Sequence, residues 1–158
     1  MLKINDKAPD FTGVIQTGES FNLYEACREH VIILYFYPKD MTSGCTKQAE
    51  GFRDAYHELL KHNVRVVGVS KDSEKSHLKF IEKHQLPFDL VADTSKEICE
   101  KFECMVEKSM YGRQYLGVER STFLIDQNGV LKAMWRNVKV PGHVQKVVDQ
   151  VMDMVNEV

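Results

Sequence analysis

Thr42-x-x-Cys45, in the stretch "PKDMTSGCTKQAEGFRD" from residue 38 to residue 54, sets one hydroxyl and one thiol where a loop turns into a helix. A cysteine in the first turn of a helix faces unpaired backbone N–H groups and the positive end of the helix dipole, and both favour thiolate over thiol. A dithiol redox centre would carry a second cysteine nearby, but Gln48 stands three residues on and Glu50 five residues on. The chemistry on offer is therefore nucleophilic attack by a single sulfur.

Ionisation alone gains little. A thiol of pKa about 8.5 is only about 3% ionised at pH 7, and a fall to about 6 raises this to roughly 90%. Nucleophilicity drops with the pKa, so a Brønsted slope of about 0.4–0.5 leaves a net gain of only about two- to threefold. Fast attack on a weak electrophile needs donors aimed at the charge that develops on the departing atom. The chain offers the Thr42 hydroxyl, the N–H groups of Gly44 and Cys45, and Arg120, just before "STFLI". Arginine suits the role because its planar, permanently charged fork holds two oxygens at once.

The other reactive residues are less informative. Cys27, Cys99 and Cys104 form no C-x-x-C motif, and the nearest pair, Cys99 and Cys104, has four residues between its members. The six histidines show neither H-E-x-x-H nor a Cys2His2 pattern, so no structural zinc is expected. Cys27 and Cys99 read as core packing, and Cys104 stays undecided. Gln48, one turn beyond Cys45, either orients Arg120 or the loop, or lies on a solvated helix face. Phe36, Tyr37 and Trp135 either line an entrance to the thiol or simply pack.

Elements must bring these residues together. "VIQTGESFNL" (14–23) reads as two short strands about a Thr17-Gly18 turn. "HVIILYFY" (30–37) is a continuous apolar run, the pattern of a central strand covered on both faces and ended by Pro38. A helix follows from Cys45, with Ala49, Phe52, Tyr56, Leu59 and Leu60 on one stripe. "VRVVGVS" (64–70) and "FDLVAD" (88–93) are further strands. Ser73 caps the helix after the first of these, with Leu78 and Ile81 facing inward, and Thr94 to Glu97 has capping-box form. "STFLI" and "VLKAMW" flank a hairpin turn at 126–129, and Pro141 opens a final helix with an inward valine stripe.

This order predicts an α/β fold, a mixed central sheet with helices on both faces and an N-terminal hairpin, forming a single domain over 1–158. Ligands of such sheets gather beyond the C-terminal ends of the parallel strands, where the 38–45 loop begins.

Composition narrows the function classes. With 21 basic and 23 acidic residues the net charge is −2, so no affinity for nucleic acid or anionic membrane is expected. No apolar run is long enough to span a bilayer, and the start shows no signal-peptide core. Four reduced thiols in a cytoplasmic protein are the expectation.

Pro38-x-x-x-Thr42-x-x-Cys45 resembles the peroxiredoxin active-site pattern. "FYPKDMTSGCT" is similar to the branch called bacterioferritin comigratory protein or peroxiredoxin Q. The likeness extends through "APDF", "FRD", "GVS" and "RSTFLID". The resemblance implies a thioredoxin-like fold and reduction of hydrogen peroxide or organic hydroperoxides by Cys45. It also implies that Thr42 and Arg120 bind and polarise the peroxide, while Pro38 shields the sulfur. No metal, haem or flavin cofactor is implied, because sulfur takes the oxygen as sulfenic acid.

Many relatives carry a resolving cysteine where Glu50 stands, and others on the helix after the second long strand, where "SEKSHLKFIEKH" has none. The expected partner is then an external thiol (thioredoxin, glutaredoxin or glutathione), with Cys99 or Cys104 as the internal alternative. A monomer or weak dimer is expected. Two rivals share the scaffold. A thioredoxin-type disulfide reductase needs a cysteine at position 42, and a copper- or partner-binding domain needs more soft ligands than Met41 supplies.

Overall fold

The apolar run at 31–36 becomes β3 (Val31–Phe36), buried at every position and central in a seven-stranded sheet. The computed structural model describes residues 1–156. β3 pairs in parallel with β4 (Val64–Ser70), which pairs in parallel with β5 (Asp89–Ala92). On its other side β3 runs antiparallel to β8 (Ser121–Ile125), which pairs with β9 (Leu131–Trp135). The N-terminal hairpin of β1 (Thr12–Ile15) and β2 (Ser20–Asn22) joins the far edge through β5.

Alternation along β3 separates two cores. Ile32, Leu34 and Phe36 pack with Phe11, Leu23, Cys27, Cys99, Phe102 and Cys104. Ile33, Tyr35 and Tyr37 pack on the opposite face with Cys45, Phe52, Phe80 and Val147. The first core is covered by α1 (Leu23–Glu29) and α4 (Glu97–Lys101); the second by α2 (Ser43–Lys61), α3 (Glu74–His84) and α5 (His143–Val155). Helices therefore lie on both faces of a mixed sheet, as expected. No described helix is long and apolar enough to cross a membrane.

Several local expectations need correction. Leu60 and Leu78 are exposed; Leu59 closes the α2 stripe, and α3 turns His77 and Phe80 inward. Thr94–Glu97 forms no capping box. Lys96 is the left-handed N-cap of α4, and the Asp93 carboxylate receives the Ile98 and Cys99 N–H groups at 3.1 and 2.8 Å. Pro141 lies just outside α5, whose N-cap is Gly142 with φ at 77°. Two further elements, α1 and a two-stranded ribbon of β6 (Met105–Met110) and β7 (Arg113–Val118), carry no clear pattern in the sequence.

Candidate active site

The N–H groups of Ser43, Gly44 and Cys45 precede the first hydrogen bond of α2, donated by Thr46 to the Thr42 carbonyl at 2.9 Å. They are the unpaired donors that a helix start leaves over. Cys45 sits among them, 2% exposed and packed in the core under α2.

Arg120 arrives from the start of β8, the strand beside β3. Phe36 pairs with Ser121, so the residue before β8 lies level with the end of β3, where the chain turns through Pro38 towards Cys45. Its guanidinium spans two partners: Nη2 donates to the Cys45 sulfur at 3.4 Å and Nη1 to the Gln48 Oε1 at 2.7 Å. Gln48 is fully buried, so the arginine is held by a fixed acceptor. Gly44 makes room for this approach. A β-carbon there would stand 3.3 Å from Arg120 Nη2 and 3.8 Å from Val140 Cγ2.

Thr42 is the N-cap of α2, yet its hydroxyl caps nothing and donates to the Lys39 carbonyl at 2.9 Å. With its proton committed there, the exposed oxygen keeps lone pairs to accept from a ligand O–H. Pro38 is half-buried and lines a cavity of about 410 Å³ with Arg120, Val106, Lys108 and Val138. Burial pushes the Lys108 amine down, reinforced by the nearby charges of Arg120 and Lys71. The same wall carries Glu107 and Glu119, so two basic groups face two carboxylates around the cavity. Position 108 lies on the β6–β7 ribbon, and only its placement beside Pro38 and Arg120 in the fold marks it.

Cys99 and Cys104 stand apart. Both are fully buried in the core on the far face of the sheet from Cys45. Burial pushes the Cys99 thiol up strongly, aided by its hydrogen bond to the Asp93 carboxylate, and pushes that of Cys104 up to about 11. Cys27 is likewise raised by burial to about 11. Phe36 is a fully buried packing residue, and Tyr37, equally buried, donates its hydroxyl to the Asp40 carboxylate at 2.6 Å.

A sulfur at a helix start, backed by a guanidinium and lying beyond the C-terminal end of a parallel strand of a thioredoxin-like sheet, defines a peroxiredoxin. The AhpC/TSA family model matches residues 4–134, and the chain belongs to that family. It is 48% identical over 147 residues to a putative peroxiredoxin bcp of Coxiella burnetii, covering 93% of this chain and 97% of that protein. It is 43% identical over 153 residues to peroxiredoxin Bcp of Bacillus subtilis, covering 97% of each. Among solved structures, the bacterioferritin comigratory protein of Xanthomonas campestris superimposes with a TM-score of 0.87, at 38% identity and 92% coverage of both chains. The family, the fold and the class of enzyme, a thiol-dependent peroxidase, agree with the resemblance carried by the Pro38–Cys45 motif.

Proposed function

We propose that Cys45 reduces hydrogen peroxide and organic hydroperoxides by direct attack on the O–O bond. The observation that carries this reading is the 3.4 Å contact between Arg120 Nη2 and the Cys45 sulfur, with Nη1 pinned by Gln48. The sulfur lone pair forms an S–O bond to the nearer oxygen, and the O–O pair leaves with the farther oxygen as hydroxide or alkoxide. Arg120 and the N–H groups of the α2 start stabilise that charge. The Thr42 oxygen accepts the peroxide's O–H, and Pro38 keeps bulk water off the sulfur. Cys45 becomes a sulfenic acid, and the leaving oxygen picks up a proton. Alkyl substrates are included because the Xanthomonas campestris relative is described by its alkyl peroxide reduction activity.

An external thiol then attacks the sulfenic sulfur, releases water and leaves a mixed disulfide, which a second thiol cleaves. Supporting this route are Glu50 at the +5 position and the burial of Cys99 and Cys104 across the sheet from Cys45. A disulfide needs Cα atoms within about 7 Å. Thioredoxin, glutaredoxin or glutathione fits the reductant's role, in a cytoplasmic thiol pool, for a single domain over 1–158 acting as a monomer or weak dimer.

The test is peroxide turnover with each reductant. Cys45→Ser should abolish it, and the Cys99→Ser/Cys104→Ser double variant should retain it. Loss of turnover in the double variant, with its first oxidation intact, would replace the external route by an internal one.

A further inference from the structure

Beyond the buried Tyr37 and the half-buried Pro38, the chain passes through Lys39, Met41 and Thr42, all exposed, and Asp40, which is 5% exposed. Asp40 is the one buried residue of 38–42, and a polar network surrounds it. Its Oδ1 accepts from the Tyr37 hydroxyl at 2.6 Å, and its Oδ2 accepts from the Ser76 hydroxyl at 2.8 Å and meets His77 Nδ1 at 2.7 Å. Its backbone N–H donates to Asp72 Oδ2 at 2.9 Å, and that carboxylate also takes the Ser70 hydroxyl at 2.6 Å. His77 is fully buried, and its Nε2 lies 3.0 Å from the Val91 carbonyl, which can only accept, so this nitrogen carries a hydrogen. The Asp40, Asp72 and His77 ligand-type atoms lie within 4.8 Å of one another, but they are engaged with each other and with these hydroxyls.

The next residue, Met41, has φ at 68°, the left-handed region that a side chain avoids. Such a conformation persists only where its surroundings over-determine it. Here the buried carboxylate holds one side and the start of α2 the other. Pro38, which lines the site cavity, and Thr42, which begins α2, are carried on this segment.

We infer that Asp40 and His77 are positioning residues for the Cys45 site: their buried contact fixes the 38–42 segment in the geometry that receives a peroxide. This rests on the reading of Cys45 as the peroxide-reacting thiol and adds to it a requirement outside the motif, on α3. Alkylation of Cys45 by iodoacetamide needs only an accessible thiolate, whereas peroxide needs Thr42, Pro38 and Arg120 in register. Breaking the anchor should therefore slow the peroxide reaction and spare alkylation.

Two replacements of His77 separate anchoring from packing. Asn places its amide nitrogen where Nδ1 stood and keeps the contact to Asp40. Gln reaches towards the Val91 carbonyl and gives up Asp40. In stopped-flow oxidation His77→Gln should react with peroxide slower by about tenfold or more, because a misplacement of about 1 Å is enough to cost that much. His77→Asn should stay near the parent, and both should be alkylated at the parent's rate. Hydrogen exchange of amides 39–46 should quicken in His77→Gln and leave β8 unchanged.

Parent-like oxidation in His77→Gln overturns the inference, as does equal slowing of oxidation and alkylation in both variants. If the histidine variants fail to fold, Ser76→Ala and Tyr37→Phe each remove one donor from the same carboxylate, and unchanged oxidation in both overturns it equally. Should the parent show no oxidation at Cys45, the functional reading fails instead. The exchange measurement still reports whether Asp40 and His77 hold the segment.

Discussion

Arg120 Nη2 lies 3.4 Å from the Cys45 sulfur across 75 positions of sequence, and the same guanidinium reaches Gln48 at 2.7 Å. One cation is thus aimed at the sulfur and braced from behind by an acceptor on the sulfur's own helix.

Removing the cation should cost rate before it costs stability. On the proposed role of Arg120, that its charge acts on the developing oxyanion, Arg120→Ala is expected to slow oxidation of Cys45 by hydrogen peroxide by well over about tenfold. Arg120→Lys should not restore it, because one ammonium cannot serve both the sulfur and Gln48. Stopped-flow fluorescence under single-turnover conditions reads this directly. Parent-like oxidation of Arg120→Ala would remove the polarising role.

The brace has its own signature. Gln48→Leu leaves Arg120 Nη1 without its buried acceptor and should slow the same step by about tenfold. Gln48→Glu keeps an acceptor at that position and should react close to the parent. Equal rates in all three proteins would show that Arg120 holds its place unaided.

The three remaining thiols should be silent in the folded protein. Cys27 and Cys104, raised by burial to about 11, carry roughly one thiolate in ten thousand molecules at pH 7. Cys99 is raised further, by burial and by Asp93. Iodoacetamide should modify Cys45 alone under native conditions and all four cysteines in denaturant, as peptide mass mapping will report. Labelling of Cys99 or Cys104 at the rate of Cys45 would reopen the internal route.

His143, the first residue of α5, meets the Thr122 hydroxyl at 2.8 Å and packs edge-on against Trp135. Burial, then the Arg120 and Lys146 charges, hold its pKa down to about 4. The unfolded chain, titrating near about 6.5, takes up a proton that the folded protein refuses. Stability should therefore be full above about pH 6.5 and fall as the pH drops towards 4, by up to roughly 3 kcal/mol from this residue. Urea midpoints across that range should show the loss, and His143→Gln should lack this component. An identical pH profile in His143→Gln would contradict it.

The elements that position the site were largely legible in the sequence. The all-apolar run at 31–36 and "VRVVGVS", short and rich in β-branched residues, read as buried strands, and the turn at 126–129 marks the hairpin whose first strand follows Arg120. The stripe of α2 was readable except at its end, because Leu59 and Leu60 are adjacent and periodicity does not choose between them. In α3 the inward face falls on His77 and Phe80, since a histidine with two buried acceptors packs inside as well as a leucine does. The β6–β7 ribbon escaped because most of its residues are half-buried or exposed and show no clean alternation. Within the site, Cys45, Thr42 and Arg120 stood out by type and spacing. Asp40 did not, because an aspartate beside a proline-led turn reads as a solvated loop residue until α3 is seen to close over it.

The most direct measurement is intact mass and peptide mapping after one equivalent of hydroperoxide, with dimedone present to capture sulfenic acid. A single adduct on Cys45, formed in the parent and in the Cys99→Ser/Cys104→Ser variant and absent from Cys45→Ser, is the outcome that direct attack by this sulfur requires. Peroxide consumed at the parent's rate by Cys45→Ser, or an adduct on any other cysteine in its place, would contradict it.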